Sequence, residues 1–303
     1  MIKNKCIIHI GAPKTGGTFL QKKIFPQLEC IFINQFQSNK YKNVYNNFIK
    51  LCTSPSLNYN KHNLINSIKK LKLSSKQTLV FSKQDFISFR YHLIKDYEKF
   101  WGERTLDSNL QFQRLKEIFL DIEILYVVRN INEILKSNFL YLSVKNQIMI
   151  DVKKFFFYNN FKAIDLKTGH FPNMNTFCKF GSIIESLDKI FGKTKVHILN
   201  YDELKNKPKR FLEDVQSKIG VKCKEKVKLT YNRVNVTDTT NLINIISSRS
   251  RFFKFFPKSL SYFFSKRKLN SVLNDFNSEL LKMKKEIDKE SRKVESLRKD
   301  III

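Results

Sequence analysis

Glycine is scarce in this chain, eight among 303 residues, yet three of the eight fall in the run Gly11-Ala12-Pro13-Lys14-Thr15-Gly16-Gly17-Thr18. Glycine lets a backbone come close to a ligand. The amide N–H groups of such a turn, with the positive end of a following helix, converge on one anion. Oxyanion binding is therefore the chemistry this run suits, with an ordinary strand-to-helix turn as the plain alternative. A nucleotide kinase or ATPase loop reads G-x-x-x-x-G-K-[ST], with lysine beside the last hydroxyl. Here Gly17 takes that place and the lysine stands three positions earlier, so its ammonium reaches the anion from the other side.

A second constellation lies downstream. Ile124-Leu125-Tyr126-Val127-Val128 runs into Arg129-Asn130, and Ser137 follows eight positions after the arginine. A permanently charged, forked donor at the C-terminal edge of a strand can hold a phosphate, and a serine on the next helix adds a neutral hydrogen bond. Arg129 alone reads equally well as a surface ion-pair residue. Joined to the glycine run in this order, it reads as a ligand. Together the two segments resemble the sulfotransferases that use 3′-phosphoadenosine 5′-phosphosulfate (PAPS), whose loop typically reads P-K-[ST]-G-[ST]-[ST]. The resemblance implies that Lys14 meets the bridging oxygen and the sulfonate, and that Thr15, Gly16, Gly17 and Thr18 hold the 5′-phosphate. It gives the 3′-phosphate to Arg129 and Ser137. Gly17 departs from the more frequent hydroxyl residue and keeps only its amide. Phe191 to Leu204, with Pro208, Phe211, Leu212 and Gly220, looks like that family's late strand and helix and speaks for the fold alone. Thr230-Tyr231-Asn232-Arg233-Val234-Asn235 is similar to its cofactor-closing loop, and the likeness covers about residues 5–245.

Sulfuryl transfer needs an acceptor in line with the sulfur, a base for its proton, and positive charge where the bridging oxygen becomes anionic. Lys14 is the expected source of that charge. Ser82-Lys83-Gln84-Asp85-Phe86 resembles a segment that brings a second lysine to the reaction centre in glycan-modifying relatives, so Lys83 is a second catalytic expectation; a lysine simply exposed at a strand end is its alternative. Relatives place a glutamate or histidine base after the first helix, where this chain has Asn34-Gln35-Phe36, which takes no proton at neutral pH. Asp85, ahead of His92, is the expected base. His9 reads as a core histidine, and His62, His170 and His197 have no local partner motif. No His/Cys/carboxylate spacing suggests a metal, and none is expected.

The elements needed to position these residues follow from periodicity. Apolar runs predict strands over 6–10, 79–81, 122–128 and 196–199, and helical spacing follows each of them or precedes the next: 19–24, around 44–51 and 64–71, 110–120, 132–142, 182–191 and 209–219. Strands alternating with helices imply a parallel sheet covered on both faces. The expected fold class is α/β, a P-loop-NTPase-like three-layer fold over residues 1–248. Residues 249–303 form a C-terminal extension: seven aromatics interleave with basic residues over 251–268, and a charged amphipathic helix covers 269–297.

Composition bounds the rest. With 42% hydrophobic residues the chain has material for a core, and no apolar run reaches the length of a membrane span or a signal-peptide core, so a cytoplasmic protein is expected. Five cysteines without a CxxC pair read as structural thiols. A net charge of +29 attracts polyanions: phosphorylated nucleotides, anionic lipid or nucleic acid. The 251–268 run fits contact with an anionic membrane, and fits core packing or a partner contact equally well. The function expected is sulfuryl transfer from PAPS to a hydroxyl or amine of a glycan, glycolipid or small metabolite, with no nucleic-acid partner. A P-loop kinase or ATPase, or a non-catalytic basic binder, is the competing reading.

Overall fold

The computed structural model describes residues 1–12, 15–34, 39–53, 60–83, 108–145, 151–158, 179–224, 243, 258–299 and 301. Five strands, β1 (Cys6–Gly11), β2 (Ile31–Ile33), β3 (Leu79–Ser82), β4 (Ile122–Val128) and β5 (Val196–Asn200), form one parallel sheet in the order β2-β3-β1-β4-β5. Every residue of β1, β3 and β4 is buried. That is what a parallel sheet covered on both faces requires, and why these strands read as continuous apolar runs. Alternation along β4 divides the core: Ile122, Ile124, Tyr126 and Val128 pack on one face, Leu125 and Val127 on the other.

The second face is covered by α1 (Gly17–Phe19), which continues as a π-helical turn over Leu20–Ile24 and a 3-10 turn over Phe25–Gln27. Across the first face lie α2 (Asn39–Thr53), α3 (Lys61–Lys69), α4 (Ser108–Lys116), α5 (Ile131–Lys145), α6 (Val152–Tyr158) and α7 (Phe180–Phe191). After β5 come α8 (Tyr201–Asn206) and α9 (Pro208–Ile219), the latter beside α1 on the second face and closed by Gly220 in the left-handed region. The three-layer α/β expectation holds. β2 is a strand that periodicity did not reveal, being three residues long.

The chain ends in α10 (Lys258–Lys282) and α11 (Lys284–Leu297). A single helix over 269–297 is therefore corrected: the helix begins at Lys258, one residue after Pro257, and breaks at Met283, whose N–H turns back to Leu280 O at 3.1 Å. The break swings α11 onto α7. There Arg298 pairs with Asp188 through both oxygens at 2.6 and 3.0 Å, Lys293 with Glu185 at 2.6 Å, and Ser182 Oγ with Glu290 at 3.0 Å. Leu269, Phe276, Ile287, Val294 and Ile301 join the same apolar cluster as Ile8 and Tyr126, and Phe276 packs at tilted angles against Phe139, Phe155 and Phe156. The boundary expected at 248 lies outside the described residues, as does 251–257. In the described remainder of that run Ser265 is buried, while Lys266, Arg267 and Lys268 are exposed. Among the described residues no helix is long and apolar enough to cross a membrane.

One charge interrupts β4. Glu123, near its N-terminal end, receives Lys5 Nζ at 3.0 Å, Lys195 Nζ at 3.1 Å and His197 Nε2 at 2.8 Å. Burial pushes its carboxyl up, but the hydrogen bonds from His197, Lys5 and Lys195 outweigh that and hold it at about 2. Lys195 also reaches Asp121 at 2.7 Å.

Candidate active site

The chain leaves β1 toward β2 and β3 on one side and later crosses to β4 and β5 on the other, so the sheet's switch point lies between β1 and β4. In open α/β sheets ligands settle outside the C-terminal ends of strands at such a point. Gly11, the last residue of β1, is in register with Val127, and Arg129 follows the end of β4. Both sequence constellations thus meet at one sheet edge.

The loop has a local structure of its own. Thr15 is buried and its hydroxyl donates to Ala12 O at 2.7 Å, fastening the turn. A Cβ on Gly11 would stand 2.8 Å from that hydroxyl oxygen, so glycine is required for the turn to close. Gly16 caps α1 in the left-handed region, φ 77°, and accepts from Leu20 N at 3.1 Å. Any side chain there would run into the ring of Tyr201.

Tyr201 opens α8 directly after β5, and its ring has a second neighbour: the Arg129 guanidinium carbon lies 4.8 Å from the ring centroid. Arg129 is held further by Glu133 Oε2, 3.3 Å from Nη2, and by Asp202 Oδ1, 4.0 Å from Nε. Asn130 Oδ1 accepts from Glu133 N at 3.3 Å at the start of α5, and Asn200 Oδ1 from Asp202 N at 2.9 Å at the start of α8. The two caps fix the carboxylates that flank the arginine.

Of the residues read from the sequence, Thr15, Gly16, Gly17, Thr18 and Arg129 are brought together at this edge. Ser137 is half-buried on α5, one turn beyond Glu133 on the same face. Lys83 follows β3, one strand away from the loop, half-buried and with its N–H on His9 O at 3.1 Å. Asn34 is buried at the end of β2. Lys14, Asp85, Gln35, Phe36, His92 and the 230–235 loop lie outside the described residues. Sequence reasoning did not place Tyr201, Asp202 and Glu133 in the site; the Tyr201-Asp202 pair was visible in the late strand-and-helix segment, read for the fold only. Burial pushes the Cys30 and Cys52 thiols up to about 12, which leaves them protonated and inert at neutral pH.

Over residues 4–291 the chain matches the family described as the sulfotransferase domain. The chain belongs to the sulfotransferase family. As a sulfotransferase it is an enzyme of sulfuryl transfer, with PAPS as donor. Among solved structures, a sulfotransferase from Alicyclobacillus acidocaldarius is 12% identical, with 83% of this chain and 92% of that chain covered at a TM-score of 0.50, a likeness of fold. Mouse sulfotransferase SULT7A1 complexed with PAP is 14% identical over 98% of this chain and 89% of its own, with a TM-score of 0.40. The sulfotransferase domain of the curacin biosynthetic pathway is 10% identical over 88% and 98%, with a TM-score of 0.41. No curated protein sequence matches significantly. The residues present fit the donor: Gly16 lets the Tyr201 ring pack against the turn, and the same ring carries a forked cation at the adjoining strand end.

Proposed function

We propose that the edge of β1 and β4 holds PAPS with its 5′-phosphosulfate on the 11–18 loop and its 3′-phosphate on Arg129 and Ser137. The acceptor is a hydroxyl or amine of a glycan, a glycolipid or a small metabolite. One observation carries the reading: a single ring, Tyr201, packs on Gly16 and on Arg129, so the loop and the arginine are spaced by one aromatic side chain. Two anionic groups of one nucleotide, at its two ends, match that pair of subsites.

The donor supplies a sulfuryl group whose S–O bond to the 5′-phosphate breaks as the acceptor's lone pair bonds to sulfur. Lys14 supplies positive charge to the bridging oxygen as it takes the electron pair, with Lys83 as a second cation from β3. The amides of Thr15, Gly16, Gly17 and Thr18 hold the 5′-phosphate; the Thr15 hydroxyl proton is engaged with Ala12 O, so its amide is the group left for the ligand. Asp85 takes the acceptor proton. In this reading residues 1–248 are the catalytic unit and 249–303 an extension packed on it, whose exposed Lys266, Arg267 and Lys268 support contact with an anionic surface at the cytoplasmic face of a membrane.

Calorimetric titration with 3′-phosphoadenosine 5′-phosphate (PAP), beside ATP with Mg²⁺, tests the reading. PAP is expected to bind more tightly than ATP, and Arg129→Ala is expected to weaken PAP by at least about 100-fold, since a phosphate loses a charged, forked partner worth roughly 3 kcal/mol. Binding of ATP but not PAP would overturn it.

A further inference from the structure

We propose that His9, Ser82 and Gln21 are positioning residues of the donor site: a buried relay that locks the helix bearing the phosphosulfate loop to the end of β3. The inference rests on the donor-site reading above.

His9 lies on β1, two residues before Gly11, and shares the second face with Ile7 and Val127, which are apolar. An imidazole with no exposure in such surroundings is costly unless hydrogen-bonded. Its partner is Ser82, directly opposite in the β1–β3 register, with Nδ1 and Oγ 2.6 Å apart. The same hydroxyl oxygen accepts from Gln21 Nε2 at 2.9 Å, and Ser82 O lies 3.4 Å from that amide. Gln21 is itself buried.

Ser82 Oγ accepts from Gln21 and shares a second hydrogen bond with His9 Nδ1, whose direction follows the tautomer of the neutral ring. Burial lowers the imidazole to about 3, so the ring stays neutral wherever the enzyme works and takes no proton in the reaction.

Three elements meet in this relay. Gln21 sits in the π-helical turn after α1, where Phe25 N reaches Leu20 O; such one-residue expansions are poor helix and tend to persist where they serve a site. α1 begins at Gly17, within the loop, four residues before Gln21. Ser82 is followed by Lys83, whose N–H is on His9 O. Apolar packing of Phe19, Leu20 and Phe25 presses the helix on the sheet but leaves sliding free. Directional bonds to one hydroxyl remove that freedom, and binding constellations need placement within about 0.5 Å. The relay thereby sets the loop amides and Lys83 at a single spacing.

The test is PAP affinity by calorimetry, with melting temperature alongside, for Ser82→Ala, Gln21→Leu, their double variant, His9→Asn and His9→Phe. Ser82→Ala and Gln21→Leu are each expected to weaken PAP about tenfold, the scale of one directional hydrogen bond, and the double variant no further. His9→Asn, whose amide can accept from or donate to the Ser82 hydroxyl, is expected to recover most of the affinity that His9→Phe loses, with no change in pH dependence between about pH 6 and pH 9. Lower melting temperatures with unchanged PAP affinity, or strictly additive losses, would overturn the relay. Ser82→Ala removes one atom and keeps the test decisive if His9→Phe does not fold. PAP binding that Arg129→Ala abolishes while every relay variant retains it overturns the relay alone; a wild type that does not bind PAP overturns the donor site with it.

Discussion

The two ends of β4 carry opposite charges treated in opposite ways. Glu123, at the N-terminal end, is 10% exposed and receives three donors at 2.8 to 3.1 Å from Lys5, Lys195 and His197. Arg129, just past the C-terminal end, is nearly as buried at 13%, yet its carboxylate partners stand at 3.3 and 4.0 Å, and one face of it is taken by a ring. A buried charge is tolerated only when paired and hydrogen-bonded. The first end meets that demand with tight neutralisation and serves folding. At the second end the two carboxylates stand farther off and share the guanidinium with a ring, at the strand end where the proposed function places a phosphate. Six positions apart, a charge inside the strand and a charge just past its end differ in the closeness of their carboxylate and cationic partners.

The comparison breaks most sharply at Gly16. In Gly16→Val a β-branched side chain would have to adopt φ 77° and enter the Tyr201 ring, a strain of about 3 kcal/mol that the loop relieves by leaving the binding conformation. PAP affinity is expected to fall by about 100-fold, read by calorimetry. The opposite end should behave in reverse: Glu123→Gln is expected to lose about 3 kcal/mol of stability in urea titration, because the lysines Lys5 and Lys195 lose a buried counter-charge, while PAP affinity stays at the wild-type value. Because the Glu123 carboxyl is depressed from 4.5 to about 2 in the folded state, its contribution is complete above about pH 4.5 and disappears as pH falls toward 2. The wild type should therefore lose stability relative to Glu123→Gln over that window. If Glu123→Gln weakened PAP instead, the division between the two ends would be wrong.

What could be read in the sequence was what is local in it. The glycine run, the apolar stretch of β4 and the arginine that ends it lie within short windows, and their order along the chain predicted that they meet. Tyr201 could not be read in the same way. It is 72 residues from Arg129 and far beyond Gly16 in sequence, and it reaches both only because β5 lies beside β4. β2 is equally hidden, since three residues make no periodicity and its pairing comes wholly from β3. The break at Met283 depends on where α7 stands, so amphipathic spacing alone continued the helix through it. His9 was legible as a core histidine but not as a partner of Ser82 and Gln21, because the register that joins them belongs to the sheet.

A smaller change tests whether the loose pairing at Arg129 is a feature of binding. Glu133 is 53% exposed and lies one helical turn from the arginine, so its ion pair contributes little to stability, about 0.3 kcal/mol. In the proposed donor site its charge stands where a 3′-phosphate would approach, and like charges a few ångströms apart near a protein surface repel by roughly 1 kcal/mol or more. Glu133→Gln keeps the side chain's shape and its ability to accept from Arg129. PAP is expected to bind about threefold more tightly to this variant at low salt, and the advantage should shrink as ionic strength shortens the Debye length. Weaker binding would mean that the carboxylate aims the guanidinium more than it competes with the phosphate, and the long contact at 3.3 Å would then be part of the binding geometry itself.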